Sequence, residues 1–209
     1  MTDLPELPAE AFRKEDTTRD DLFYREPRFV THIDAAAVAA VTALYRDILP
    51  EGGAILDLMS SWVSHLPPEA GYREVIGHGM NAEELSANSR LTQWFTQDLN
   101  ATAELPLEAR SVDAVTLCVS IQYLQHPVAV LREAARVLRP GGPVVITFSN
   151  RCFPTKAVAI WRLLSGEEQC GLVSLYLQRA GFGQVEARSL RPGGPGDPLW
   201  AVTGRAAPP

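Results

Sequence analysis

The chain has no apolar run approaching the roughly 20 residues that a helix needs to cross a bilayer. A helical membrane span is thereby excluded. Cysteine is scarce: Cys118, Cys152 and Cys170 are the three present, and none has a metal-ligating spacing to another Cys or to a His. A disulfide scaffold and a zinc site are both disfavoured, and reduced thiols in the cytoplasm are expected. Positive charge is also short, with 19 Lys and Arg against 25 Asp and Glu and a net charge of −6. Nucleic-acid binding needs a positive field, so it is not expected. The acidic, proline-bearing start resembles neither a signal peptide nor an Arg-rich transit peptide. No lysine follows a glycine turn as in a phosphate loop, and no G-x-S-x-G elbow is present. ATP chemistry and an α/β-hydrolase triad therefore lack their sequence marks.

What is present is ordinary for a globular domain: 46% hydrophobic and 21% charged residues over 209 positions, enough for one well-buried α/β core. Residues 1–33 read as an N-terminal arm and possible lid, loose over 1–20, where Pro, Asp, Glu and Thr abound without a sustained period. Residues 34–209 read as the domain proper. From Asp34 to Leu49, Val38, Val41, Leu44, Tyr45 and Ile48 recur at helical spacing, with Asp34 as N-cap and Pro50, Gly52 and Gly53 ending the run. Strands are then expected at Ala54–Leu58, Arg73–Gly77, Trp94–Gln97, Val112–Val119 and Val144–Ser149. Helices are expected at Ala82–Asn88, Val128–Leu138 and Leu172–Ala180. The segments Gln184–Leu190 and Leu199–Gly204 flank a PGGPGDP loop and read as a closing hairpin. The alternation predicts a Rossmann-like, mostly parallel sheet with helices on both faces and a C-terminal antiparallel hairpin.

The segments SVDAVTLCVSIQYLQHP (Ser111–Pro127) and EAARVLRPGGPVVITFSN (Glu133–Asn150) resemble, in order and spacing, the class I S-adenosylmethionine-dependent methyltransferases. The similarity is greatest to their small-molecule, type 11 branch and spans about residues 34–204. It implies S-adenosylmethionine as cofactor and a small-molecule methyl acceptor. The alternative is a non-catalytic or repurposed relative that binds another ligand or a protein partner. The family's first motif is a strand ending in an acid and followed by spaced glycines. Its acid aligns with Asp57, but its glycine positions fall on Met59, Ser61 and Val63, so the motif is degenerate. Gly79 stands where the family's ribose-binding acid belongs. Asp98 and Leu99 match the pair that contacts the adenine.

Each candidate also has a plainer role open to it. Asp57 ends an apolar strand at the edge where open α/β sheets place ligands, but could simply satisfy backbone donors. Ser60, Ser61 and Ser64 can donate to a cofactor carboxylate or serve the turn. Trp62 can stack on a cation or pack. Asn81 can reach the ribose hydroxyls or cap the helix that follows, and Asp98 can bind ligand or form an Asx turn with Asn100. The substrate mouth is expected at Gln122 and Tyr123 after the fourth strand. After the fifth it is expected at Ser149, Asn150, Arg151 and Phe153, with Arg151 suited to clamp an anion. Tyr24, Arg28, Phe29 and His32 can form a lid or a strap. Tyr24, His32 and His65 are open candidates for a general base, and no catalytic residue is assigned.

Overall fold

The computed structural model describes residues 4–208. It contains one seven-stranded sheet: β1 (Ala54–Asp57), β2 (Glu74–Gly79), β3 (Gln93–Thr96), β4 (Ala114–Cys118), β5 (Pro143–Phe148), β6 (Gly183–Arg191) and β7 (Leu199–Arg205), in the order β3-β2-β1-β4-β5-β7-β6. β1 to β5 pair in parallel, and β7 runs antiparallel between β5 and β6. The expected class, Rossmann-like with a terminal antiparallel hairpin, is the observed one. The chain reverses its strand order beside β1 and β4, and such a switch point opens a crevice at the carboxyl ends of the strands.

Helices α1 (Asp20–Phe23), α2 (Ala35–Ile48), α3 (Ala82–Ala87), α4 (Pro127–Val137) and α5 (Gly166–Arg179) complete the fold. Strand residues alternate between the two faces, as the period of two demands. Ile55, Val75, Ala114 and Val145 pack with Val41, Leu44 and Tyr45 of α2. Leu56, Val115, Leu117 and Ile146 pack with Leu131 and Val137 of α4 and with Val173 and Leu177 of α5. Each of these fully buried Val, Leu and Ile side chains contributes about 1.5–3 kcal/mol. β1, β4 and β5 are buried on both faces, which explains why apolar residues dominate them without alternation.

Two local expectations are corrected. α5 begins at Gly166, six residues ahead of the expected Leu172. Its start is set by a capping box in which Ser165 and Glu168 bond each other's backbone. The arm is not loose from residue 4 onward; Met1 to Asp3 lie outside the described residues. Leu4 and Ala11 are buried, and backbone bonds join Asp16 to Thr155 (2.9 Å) and Ala159 to Arg13 (2.9 Å). The fully buried ammonium of Lys156 lies 3.2 Å from Asp20 and 3.5 Å from Asp16, and also donates to the Thr18 carbonyl. Lys14 pairs with the same Asp20. A buried lysine survives only when so compensated, and here the compensation comes wholly from the arm.

Candidate functional site

A cleft opens at the carboxyl ends of β1, β2, β3 and β4, roofed by the arm. Its floor carries Asp57, which is almost fully buried. One carboxylate oxygen accepts from the Ser60 hydroxyl at 2.5 Å and the other from Thr116 Oγ1 at 2.9 Å. Burial pushes this carboxyl above the usual carboxylate range, and the hydroxyls of Ser60, Ser64 and Thr116 pull it back. No cationic side chain balances it among the described residues.

In this fold a helix ordinarily follows β1, and its N-terminus attracts anions. Residues 58–73 form no helix here. The serines and the Pro67–Pro68 pair favour turns over helix in this stretch. Met59 takes the left-handed conformation (φ 57°) at a place where the family uses glycine. His78 of β2 pins the segment. Its Nδ1 accepts from the Met59 N–H at 3.0 Å, and its carbonyl accepts from the Ser60 N–H at 2.6 Å. Because Nδ1 is an acceptor, Nε2 carries the proton and donates to the Gln97 carbonyl at 3.0 Å. Burial lowers the His78 pKa to about 4, so the ring is neutral.

This closure lies against the end of β2 at Gly79. A β-carbon on Gly79 would stand 2.6 Å from the Ser60 carbonyl oxygen. Asn81 caps α3 with its carbonyl oxygen, accepting from the N–H groups of Glu83 (2.9 Å) and Glu84 (3.0 Å). Its amide nitrogen donates to the carbonyls of Tyr24 (3.0 Å) and Arg25 (2.9 Å). The cap role is therefore filled, with an arm-binding role beside it. Glu84 sits at the third position of α3, where a capping-box carboxylate would turn back to the Asn81 N–H. It instead accepts from the Arg28 N–H at 2.7 Å and from the Ser61 hydroxyl at 2.6 Å.

At the end of β3, Asp98 and Leu99 line the cleft, and Asp98 forms the Asx turn with the Asn100 N–H at 2.9 Å. Past β4, Val119 is held at φ 51°, which is sterically costly for a β-branched residue and is typical of strained functional sites. Ser120 beside it lines the cleft with a buried hydroxyl that has no hydrogen-bond partner. Such a group points to a ligand or water.

The expected substrate mouth is redrawn. Tyr123 and Phe153 line the cleft, and the Tyr123 phenol oxygen accepts from the Phe153 N–H at 2.9 Å. Gln122 is fully buried away from the cleft, its amide donating to the Val119 carbonyl at 3.0 Å. Asn150 is exposed outside it. Arg151 is 61% exposed and reaches sideways to Asp197 at 2.7 Å, in the loop between β6 and β7. Within the polar loop after β5, Arg151 turns towards the hairpin, where Asp197 offers it a carboxylate, while Phe153 turns into the cleft.

From the arm, Tyr24, Arg28 and His32 face the cleft. Phe29 meets Trp62 edge-on, and the Trp62 indole donates to the Val30 carbonyl at 3.0 Å, so this tryptophan holds the arm down. His32 and His65 both have lowered pKa values, through burial in each case, and so present neutral imidazoles. Burial raises the Tyr24 phenol far above its ordinary value, which leaves it a donor. Sequence reading passed over three residues: His78, Glu84 and Ser120. The Asn81-x-x-Glu84 spacing was the available signal for Glu84, read only as a helix start.

A family model described as "Methyltransferase domain" matches residues 60–146. No curated protein sequence matches the chain. Among solved structures, a S-adenosylmethionine-dependent methyltransferase from Aquifex aeolicus superposes with a TM-score of 0.59 at 18% identity, covering 90% of this chain and 97% of that one. Phosphoethanolamine N-methyltransferase 2 of Haemonchus contortus, solved with S-adenosyl-L-methionine, gives 0.60 at 15%, covering 82% of this chain and 52% of that one. The [4+2]-cyclase SpnF gives 0.62 at 15%, covering 81% of each. Together these matches support the resemblance to the class I methyltransferase family read from the sequence. Among the described residues no helix is long and apolar enough to cross a membrane, and no group of His, Cys, Asp and Glu could hold a metal ion.

Proposed function

We propose that the chain is a S-adenosylmethionine-dependent methyltransferase acting on a small molecule in the cytoplasm. The observation that carries this reading is the buried carboxylate of Asp57. It lies at the switch point of a methyltransferase fold, held by hydroxyls and lacking a cation. A ligand bearing an ammonium and a sulfonium suits that vacancy of charge. Asp57, Met59, Ser60 and Ser61 would hold its amino-acid end, Gly79 and Asn81 would border its ribose, and Asp98 and Leu99 its adenine. The absent helix start means that its carboxylate would meet no helix dipole; with the Ser60 and Ser61 hydroxyls given to Asp57 and Glu84, the unpartnered Ser120 hydroxyl is the donor left to it. On the ribose side Glu84 is the cleft-lining carboxylate nearest in sequence to Gly79.

When bound, the cofactor would supply an electrophilic methyl group on sulfur. The protein's own part is chiefly positional. Tyr123, Phe153 and the arm wall off the acceptor side from water, and a neutral His32 or His65 can take up an acceptor proton. Isothermal titration of the purified protein with S-adenosylmethionine and with its demethylated product tests the reading, as does mass analysis for a co-purified ligand.

A second reading keeps the fold for another reaction. It is favoured by the Ser60–Gly79 closure, and SpnF is a cyclase with the same fold. Release of the demethylated product on turnover distinguishes the two.

A further inference from the structure

We propose that Arg28, carried by the arm, is the recognition group for an oxyanion on the acceptor, so that the substrate is a small carboxylate or phosphate. This rests on the acceptor side of the cleft proposed above. Arg28 is the one Lys or Arg lining the cleft among the described residues. One terminal nitrogen donates to the Phe23 carbonyl at 2.9 Å, while the other is buried without a hydrogen-bond partner. The guanidinium carbon lies 4.7 Å from the Phe23 ring centre, 5.2 Å from that of Phe153 and 5.7 Å from that of Tyr24. A guanidinium stacked on rings is fixed in plane, and its edge stays available for the paired oxygens of a carboxylate or phosphate.

The neighbouring carboxylates leave that edge alone. Glu84 takes the Arg28 backbone N–H and the Ser61 hydroxyl, and Asp20 is engaged by Lys14 and Lys156. A buried cationic donor left without a partner is costly, and an anionic ligand would relieve that cost. Arg151, the cation expected from sequence to do this, is committed to Asp197.

The test uses intact protein saturated with S-adenosylhomocysteine and titrated with benzoate, with phenyl phosphate and with benzamide as the neutral isostere. One oxyanion should bind about tenfold or more tighter than benzamide, the value of one charge-assisted hydrogen bond. Whichever of the two does so names the acceptor's group. Arg28→Met should lose that preference at an unchanged thermal midpoint, and Arg28→Lys should keep only part of it. If the Met variant fails to fold, the Lys variant decides. Equal binding of benzoate, phenyl phosphate and benzamide overturns the proposal. So does a preference that survives in both variants, or no oxyanion binding at tens of millimolar. Failure of S-adenosylhomocysteine to bind would instead strike the cofactor reading, and the same titrations on free protein would still decide the role of Arg28.

Discussion

The carbonyl oxygen of Ser60 stands 2.6 Å from the point a β-carbon on Gly79 would occupy, so the loop after β1 and the end of β2 are in backbone contact. In the resembled family those two places hold the glycines and the ribose acid, with a cofactor between them. Here both have changed together.

Restoring the family's acid should therefore fail. Gly79→Asp must push back a carbonyl that is itself anchored through the Ser60 N–H to His78. Overpacking of this kind costs about 1–3 kcal/mol. Thermal melts should show the loss, and titration with S-adenosylmethionine should show weaker binding than wild type. Tighter binding by the Asp variant would mean the loop opens freely.

The His78 ring makes stability pH-dependent with a definite sign. Its pKa falls from 6.5 in the unfolded chain to about 4 in the fold, through burial. Between those values the unfolded chain binds more protons, so acid favours unfolding. The contribution, about 3 kcal/mol, is intact above the unfolded pKa and is lost as pH falls towards the folded one. Asp57, whose pKa is raised, works in the opposite sense. Melting points measured from neutral pH down to about 4.5 should decline for wild type and flatten for His78→Gln.

Lys156 ties the arm to the domain. Lys156→Met removes the cation shared by Asp16 and Asp20, but Asp20 keeps Lys14 and Asp16 is partly exposed, so it should cost about 1–3 kcal/mol. Limited proteolysis should then cut between residues 4 and 33 ahead of the rest. An arm as resistant as in wild type would show that Lys156 does not hold it.

Arg151→Ala should be quiet. Its guanidinium is largely exposed and lies off the cleft, and its buried partner Asp197 keeps the bond from the Asp34 N–H, so the loss should be about 1 kcal/mol. Acceptor KM and cofactor affinity should both stay at wild-type values; a raised acceptor KM would return this residue to the substrate mouth.

The sheet was legible because β1, β4 and β5 are buried on both faces and so read as apolar runs between helices of clear period. The α5 start was missed because its first turn, Gly166–Gln169, carries few apolar residues and is fixed by Ser165 and Glu168. The arm misled by composition: its Asp16 and Asp20 look like solvent-exposed charge until Lys156, far along the chain, is brought between them. The same long-range pairing hid the true surroundings of Arg151, since Asp197 sits in a loop with no period of its own. Asp57, Ser60, Asp98 and Tyr123 could be placed from strand ends alone. His78 and Glu84 could not, because their partners, Met59, Gln97, Arg28 and Ser61, meet only in the folded chain.

The most direct measurement is calorimetric titration of S-adenosylmethionine into wild type, Asp57→Ala and Asp98→Ala. Saturable heat with wild type and binding weakened about tenfold or more in each variant is the predicted result. No heat from wild type at millimolar ligand, or variants that bind as wild type does, would contradict it.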